Sequence, residues 1–218
     1  MNILYEDNHL LVVIKEPGIL SQEDKTGDTD MLSLIKAYLK DKYHKPGNVF
    51  LGLIHRLDRM VGGVMVFAKT SKSASRLSKQ VREHKIGKKY LAIVHGITEE
   101  KATLINYLYK DNKNNIVYVK DKDCKVAQKA ELSFQRLNIK TSYSLLEINL
   151  KTGRPHQIRV QLAHINRPLL GDKKYGINDK FSTIALYAHQ LSFYHPITKE
   201  QLTFTSQPLG YPFDIFYY

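Results

Sequence analysis

The chain has 218 residues, 43% hydrophobic and 25% charged, which suits one soluble domain with its own core. Its 33 basic and 21 acidic residues leave a formal charge of +12, which favours a polyanionic partner, either nucleic acid or an anionic membrane surface; a basic but inert surface gives the same count. The single cysteine, Cys124, excludes an internal disulfide and argues against a cysteine-based zinc site, and no run approaches the roughly 20 apolar residues of a membrane span.

The N-terminal MNILYEDNHLLVV carries acidic residues where a signal peptide needs basic ones, so the chain reads as cytoplasmic. Two short strands are predicted at Ile3 to Tyr5 and Leu10 to Ile14, joined by the turn-forming Glu6-Asp7-Asn8. Lys15-Glu16-Pro17-Gly18 breaks the run. Thr29 and Asp30 are good N-caps for a first helix, with Met31, Leu34, Ile35, Tyr38 and Leu39 at helical spacing behind them.

Val49 to Ile54 reads as a buried strand. The loop HRLDRMVGG follows, then a strand at Val64 to Ala68. Ser71 is the expected cap of a second helix with Ala74, Leu77 and Val81 inward and Lys72, Arg76, Lys79 and Arg82 outward. Tyr90 to Val94 is strand-like. Leu104 to Leu150 is mostly β, interrupted at Lys110 to Lys113 and at Lys120 to Lys125. A helix is expected after Gly153, and two strands over Ile184 to Phe204, joined around His195-Pro196-Ile197-Thr198. Strands outnumber helices and hairpin-length connections dominate, so the fold class is α+β with a mainly antiparallel sheet, in one domain without a visible linker.

Two segments carry candidate chemistry. Asp58 lies in a loop between apolar strands, beside His55, Arg56 and two glycines, Gly62 and Gly63. Rigid strands flanking a loop suit a catalytic carboxylate, but a turn aspartate bonded to its own backbone looks the same in sequence. In TGRPHQIRVQLAHIN, Pro155 suits a first helical turn. A helical wheel at about 100° per residue puts Gln157, Gln161 and His164 on one arc, expected to face solvent. It puts Arg159 inside the apolar arc. An arginine there cannot shed its proton, so it either pairs with a carboxylate such as Asp58 or reaches out to solvent along its stem. Arg154, close to a helix start, suits contact with an anion such as phosphate, though solvation alone would also serve it. His55, His156 and His164 lie in no metal-ligand spacing, so no metal site is expected.

Taken in order, ILYEDNHLLVVIKEPG, HRLDRMVGGVMVFAKT, KKYLAIVHG, TGRPHQIRVQLAHINRPLLGDKKYG and ALYAHQLSFYHP resemble the RluA-type family of pseudouridine synthases, from Ile3 to Phe204. The resemblance implies the pseudouridine synthase catalytic fold: a mainly antiparallel mixed sheet flanked by helices and loops, with a central RNA-binding cleft. It implies a single catalytic domain over residues 1–218 without an N-terminal S4-type domain. It implies isomerisation of uridine to pseudouridine in tRNA or rRNA, for which no cofactor is required; a monomer is expected. Carried over, Asp58 is the essential carboxylate, Tyr90 packs near the target base and serves proton removal, and Arg159 partners the aspartate. Arg56, with His55 and Arg154, makes up the RNA-binding set, Arg56 helping to hold the flipped base out. Two departures stand out. Val61, Gly62 and Gly63 occupy positions where the family commonly has Thr-Ser-Gly, and Ile14-Lys15-Glu16-Pro17 replaces an Asn-Lys-Pro-type segment.

The chemistry fits these residue types. A stacked uridine must be extruded before its atoms can be reached, at a cost of a few kcal/mol that cationic side chains offset by holding phosphates. An ionised aspartate then acts as a nucleophile or stabilises positive character on the sugar. Isomerisation involves no redox change, in keeping with a sequence without a dinucleotide fingerprint or phosphate loop. A noncatalytic RNA-binding protein on the same scaffold is the alternative, and a metal-dependent nuclease a third reading.

Overall fold

A computed structural model describes residues 1–217. In chain order the elements begin with β1 (Asn2–Glu6), β2 (Leu10–Lys15), α1 (Met31–Lys42), β3 (Gly52–Leu53), β4 (Gly62–Ala68) and α2 (Ser71–Arg82). Next come β5 (Gly87–His95), β6 (Lys101–Asp111), β7 (Ile116–Lys120), β8 (Gln128–Lys140), β9 (Tyr143–Leu150) and α3 (Gln157–His164). The chain closes with β10 (Leu186–Tyr194), β11 (Gln201–Thr205) and α4 (Asp214–Tyr217). None of the described helices is long and apolar enough to cross a membrane. These elements form two compact units, each assembled from separate stretches of chain: Met1–Gly87 with Ala188–Gln207, and Lys88–Tyr187 with the stretch from Pro208 onward.

In the first unit, Asp7 makes the β1–β2 turn by accepting the amides of His9 and Leu10 at 2.7 and 2.6 Å. β2 pairs antiparallel with β4 from Leu10↔Ala68 to Lys15↔Gly63, and β4 has β10 as its further neighbour. All seven residues of β4 are buried, which is why its sequence is an apolar run rather than an alternation. Leu10, Val12, Val64, Val66, Leu77, Leu191 and Phe193 share one core. Asp30 caps α1 as expected, accepting from the Ser33 amide at 3.2 Å. α2 is capped by Thr70 rather than Ser71; Thr70 has the extended backbone a cap needs, and its hydroxyl accepts the Ser73 amide. Glu6 ties β1 to α1 and β4 through Lys42, Lys69, Tyr38 and Tyr43. Burial would raise its carboxyl, but these donors outweigh it and hold it down at about 2.

The expected strand Val49 to Ile54 narrows to the two residues of β3, although Val49, Leu51 and Ile54 are buried. β3 pairs only with Ala68 and Phe67 of β4, and the neighbouring Val66 amide is taken by the His55 ring at 3.3 Å instead of a backbone carbonyl. A side chain thus ends the ladder.

In the second unit the strand order is β5-β9-β8-β6-β7, with every pairing antiparallel. Leu91, Ile93, Leu145, Leu170 and Phe181 form one core, and Leu108, Val117, Ala130 and Val160 a smaller one beneath α3. α3 starts at Gln157, later than Pro155 suggests, because His156 sits in the left-handed region at φ 51°. Of the three residues expected to face solvent, His164 is exposed, but the other two are buried, Gln157 at 3% and Gln161 at 0% exposed. Their carboxamides bind each other and sheet groups, including the Leu104 carbonyl and Asn106 side chain for Gln161 and the Glu131 carbonyl for Gln157. Glutamines face the sheet here because their donors satisfy strand groups that an apolar helix face would leave unmet.

Gly63 fixes how closely β4 and β10 approach. It holds φ at +129°, and a Cβ there would lie 2.3 Å from the Ala188 carbonyl oxygen. Gly63→Ala is therefore expected to destabilise the protein by roughly 2–4 kcal/mol, read by denaturant unfolding; a loss below about 0.5 kcal/mol would show that the backbone there yields.

Candidate functional site

Asp58 occupies a turn closed by its own carbonyl, which accepts the Val61 amide at 3.0 Å. The residues on either side are fixed by their backbones. Leu57 donates its amide to the Ser21 hydroxyl oxygen at 3.0 Å and accepts that hydroxyl at its carbonyl at 2.9 Å. The Arg59 carbonyl accepts both the Gly18 amide at 2.9 Å and the Lys15 ammonium at 2.9 Å. Lys15 ends β2 wholly buried, and its Nζ also donates to the carbonyls of Ile19 at 2.7 Å and Glu16 at 3.1 Å. One ammonium thereby joins the end of β2, the loop after it and the Asp58 turn. Burial pulls the Lys15 amine down to about 8, while the nearby charges of Asp58 and Glu16 act in the opposite direction.

Asp58 itself is half-buried, and Arg56 is exposed. His55 is half-buried and its ring bonds the Val66 amide, which gives it a structural task in β4. Arg59 reaches Asp28 at 2.7 Å and the Gly18 carbonyl at 3.1 Å, closing the loop further. Gly62 packs tightly: a Cβ would come within 3.0 Å of the Pro17 ring and 3.2 Å of the Lys15 carbonyl. The missing side chain at this position lets the turn press close to the Lys15 segment. On α2, Arg76 donates to the Pro196 carbonyl at 2.8 Å, so its charge is partly committed within the unit.

Tyr90, Arg154 and Arg159 belong to the second unit. Tyr90 is buried on β5 opposite Ile148. Arg159 does pair with a carboxylate, and the partner seen is Asp172, thirteen residues on: Nε meets Oδ2 at 2.8 Å and Nη2 meets Oδ1 at 2.7 Å. This two-pronged geometry fixes the guanidinium plane as a single contact would not. The Asp172 side chain is fully buried and also accepts the amides of Lys174 and Tyr175. Burial works to raise its carboxyl, but the bonds and charge of Arg159, with those amides, hold it below the ordinary carboxylate value. The guanidinium also lies over the Tyr175 ring at 5.1 Å. The Tyr175 hydroxyl is held in turn by the Val117 amide at 2.8 Å and the His156 ring at 2.7 Å. Arg154 is half-buried, with Nε donating to the Lys129 carbonyl at 3.0 Å.

The sequence reading missed Lys15, Ser21, Asp172 and Tyr175. Lys15 was readable in part, because a lysine that extends an apolar strand is unusual. The others were not, since their partners lie far along the chain or depend on a loop conformation.

The chain matches the family model described as RNA pseudouridylate synthase over residues 9–164. It is 35% identical to the ribosomal large subunit pseudouridine synthase C of Buchnera aphidicola subsp. Baizongia pistaciae, across 97% of this chain and 68% of that protein. It is 34% identical to the tRNA pseudouridine synthase C of Haemophilus ducreyi, across 94% of this chain and 90% of that one. Its fold is that of a human protein described as RNA pseudouridylate synthase domain containing 4, with a TM-score of 0.81 at 24% identity, covering 98% of this chain and 90% of the other.

Two outcomes test this geometry. Asp172→Ala removes the buried carboxylate from Arg159 and is expected to cost about 3 kcal/mol in denaturant unfolding. Lys151→Ala, at the exposed pair with Glu131, is expected to cost under about 0.5 kcal/mol; equal effects would mean that burial of the Asp172 pair has no energetic consequence. For Lys15 the folded-state value lies below the unfolded one. The unfolded chain therefore binds more protons between pH 8 and the ordinary lysine value of 10.5, and this lysine's contribution to stability rises with pH across that window. Unfolding titrations of the native protein and Lys15→Met are expected to diverge in the native protein's favour by on the order of 3 kcal/mol as pH rises through it; parallel pH profiles would exclude the depressed amine.

Proposed function

We propose, on the premise that this chain belongs to the RNA pseudouridylate synthase family, that its isomerisation of uridine depends on Asp58 and that its substrate is a uridine in rRNA or tRNA. The observation that carries the assignment to Asp58 is the pinning of the backbone on both sides of it, at Leu57 by Ser21 and at Arg59 by Lys15 and Gly18. A carboxylate that must meet a flipped nucleotide at one atom gains from a support that cannot drift. Asp58 then acts on the nucleotide, as a nucleophile or by stabilising positive character on the sugar. The glycosidic bond breaks, the detached base turns and rejoins its sugar through C5, any bond to Asp58 breaks as it does so, and C5 loses a proton while N1 gains one. Tyr90 packs by the base and serves proton removal. Arg159, its plane set by Asp172 and Tyr175, is the third proposed catalytic residue, supplying a cation.

Arg56 suits an RNA-binding role because it projects into solvent from the residue next to the pinned Leu57. His55 and Arg154 complete the proposed RNA-binding set. The +12 charge supports binding to a folded RNA by charge and shape. The relatives named above are described by rRNA in one case and tRNA in the other, so both classes are carried forward. The protein is proposed to work as a cytoplasmic monomer without a cofactor.

The test is release of tritium from unfractionated tRNA and rRNA labelled at uracil C5. The native protein is expected to release it, and Asp58→Ala to fall at least 1,000-fold, on the order of what removal of an essential catalytic group costs. Release by Asp58→Ala at the native rate would remove Asp58 from the reaction. RNA binding without release by either protein would favour a noncatalytic RNA-binding role.

A further inference from the structure

Lys88 and Lys89 are adjacent on β5, so their side chains leave opposite faces of the strand. Lys89 finds a carboxylate, with its ammonium 2.8 Å from Glu147. Lys88 finds none: among the described residues its ammonium has no hydrogen-bond acceptor and no acidic partner, although it is half-buried. Burial alone lowers its amine below the ordinary lysine value. A desolvated cation without a counter-charge is a cost to the fold. Lys15 is more deeply buried, yet three carbonyls receive it.

The surroundings of Lys88 suggest what receives its charge. Its ammonium lies beside Gly153, where a Cβ would come within 3.3 Å of Nζ. Gly153 is exposed and leaves that approach open. The turn carrying it is rigid. The Gln157 side-chain oxygen accepts both the Thr152 hydroxyl at 2.7 Å and the Arg154 amide at 3.0 Å, and the Thr152 hydroxyl oxygen accepts the Glu131 amide at 2.8 Å. The turn is rich in cations as well. Arg154 follows Gly153, and Lys129 and Lys151 share the one carboxylate of Glu131, at 3.0 and 2.6 Å. Lys88 also sits on the Tyr90 face of β5, two residues or about 7 Å along the strand.

We propose that Lys88, with the Thr152-Gly153-Arg154 turn, forms a binding site for one backbone phosphate of the RNA substrate. The inference rests on the reading of the protein as an RNA-modifying enzyme and adds a residue to it. The phosphate completes the coordination of Lys88, the open edge at Gly153 admits it, and Arg154 lies at its flank. Bound there, it anchors the RNA strand next to the Tyr90 face.

The experiment measures binding of unfractionated tRNA and rRNA across a salt series, for the native protein, Lys88→Gln and Lys88→Arg. Loss of one phosphate contact lowers the slope of log affinity against log salt by about 0.7–0.9. Lys88→Gln is expected to show that loss with a several-fold weaker Kd, and Lys88→Arg to restore the slope. A folded Lys88→Gln with native slope and Kd overturns the proposal. If Lys88→Gln does not fold, the Lys88 amine is titrated in the native protein through its side-chain carbon resonance. RNA is expected to raise its midpoint, and inorganic phosphate alone to raise it less; a midpoint unmoved by RNA overturns the proposal, and an equal rise with phosphate alone overturns its assignment to RNA. Tritium release by the native protein reads the enzymatic assignment separately. A lost slope increment without release keeps the phosphate site and removes the isomerase reading, and release with an unchanged slope does the reverse.

Discussion

The first unit depends on one buried ammonium. Lys15 extends an apolar strand into the interior and donates to three carbonyls from three different residues, Glu16, Ile19 and Arg59. A hydrophobic side chain of the same length would fill the space but leave the Ile19 carbonyl without its donor, a loss of roughly 1–3 kcal/mol, while the Arg59 and Glu16 carbonyls would keep only the amides of Gly18 and Ile19. The charge has a second effect. It lies close enough to Asp58 for the carboxylate to act on the lysine's proton affinity, so the cation that shapes the turn also sits within electrostatic reach of the proposed catalytic group. Structure and chemistry share a residue here, and the depressed amine is the cost of placing it there.

Much of the strand pattern was legible because apolar alternation and turn residues are local signals. β1, β2, β10, β11 and the helix after Asp30 fall where periodicity and capping put them. The failures have a common cause in interactions at long range. Val49 to Ile54 has strand composition, but how much of it pairs is decided by β4, where the His55 ring takes a ladder position. Gln157 and Gln161 are polar, and polarity on a helix reads as a solvent face until the strand carbonyls that need donors are known. Thr70 and Ser71 are adjacent and chemically alike, so only the backbone conformation tells which one caps.

The candidate site divides in the same way. The need of Arg159 for a carboxylate followed from its place on the helical wheel, because an arginine on an apolar arc must be compensated. The identity of the partner seen, Asp172, did not follow, since nothing local links the two. Asp58 was one of many plausible turn aspartates until the ordered motifs singled it out. What the fold adds is the support on either side of it, carried by Ser21 and Lys15, which no motif names.

Three cations withdrawn from solvent show how a basic protein distributes its charge. Lys15 is satisfied by carbonyls, and its task is architectural. Arg159 is held by a fully buried carboxylate and an aromatic ring, which orients it while keeping its charge. Lys88 is desolvated with neither. A surface lysine without a partner has no such significance, because water solvates it at little cost. Lys88 is set apart by burial without compensation, on a strand where its neighbour Lys89 shows that a carboxylate was available to the other face. Net charge alone supports RNA binding only in bulk. A cation left uncompensated beside an open, rigid turn supports it at one position, and that position lies on the strand face that also carries Tyr90.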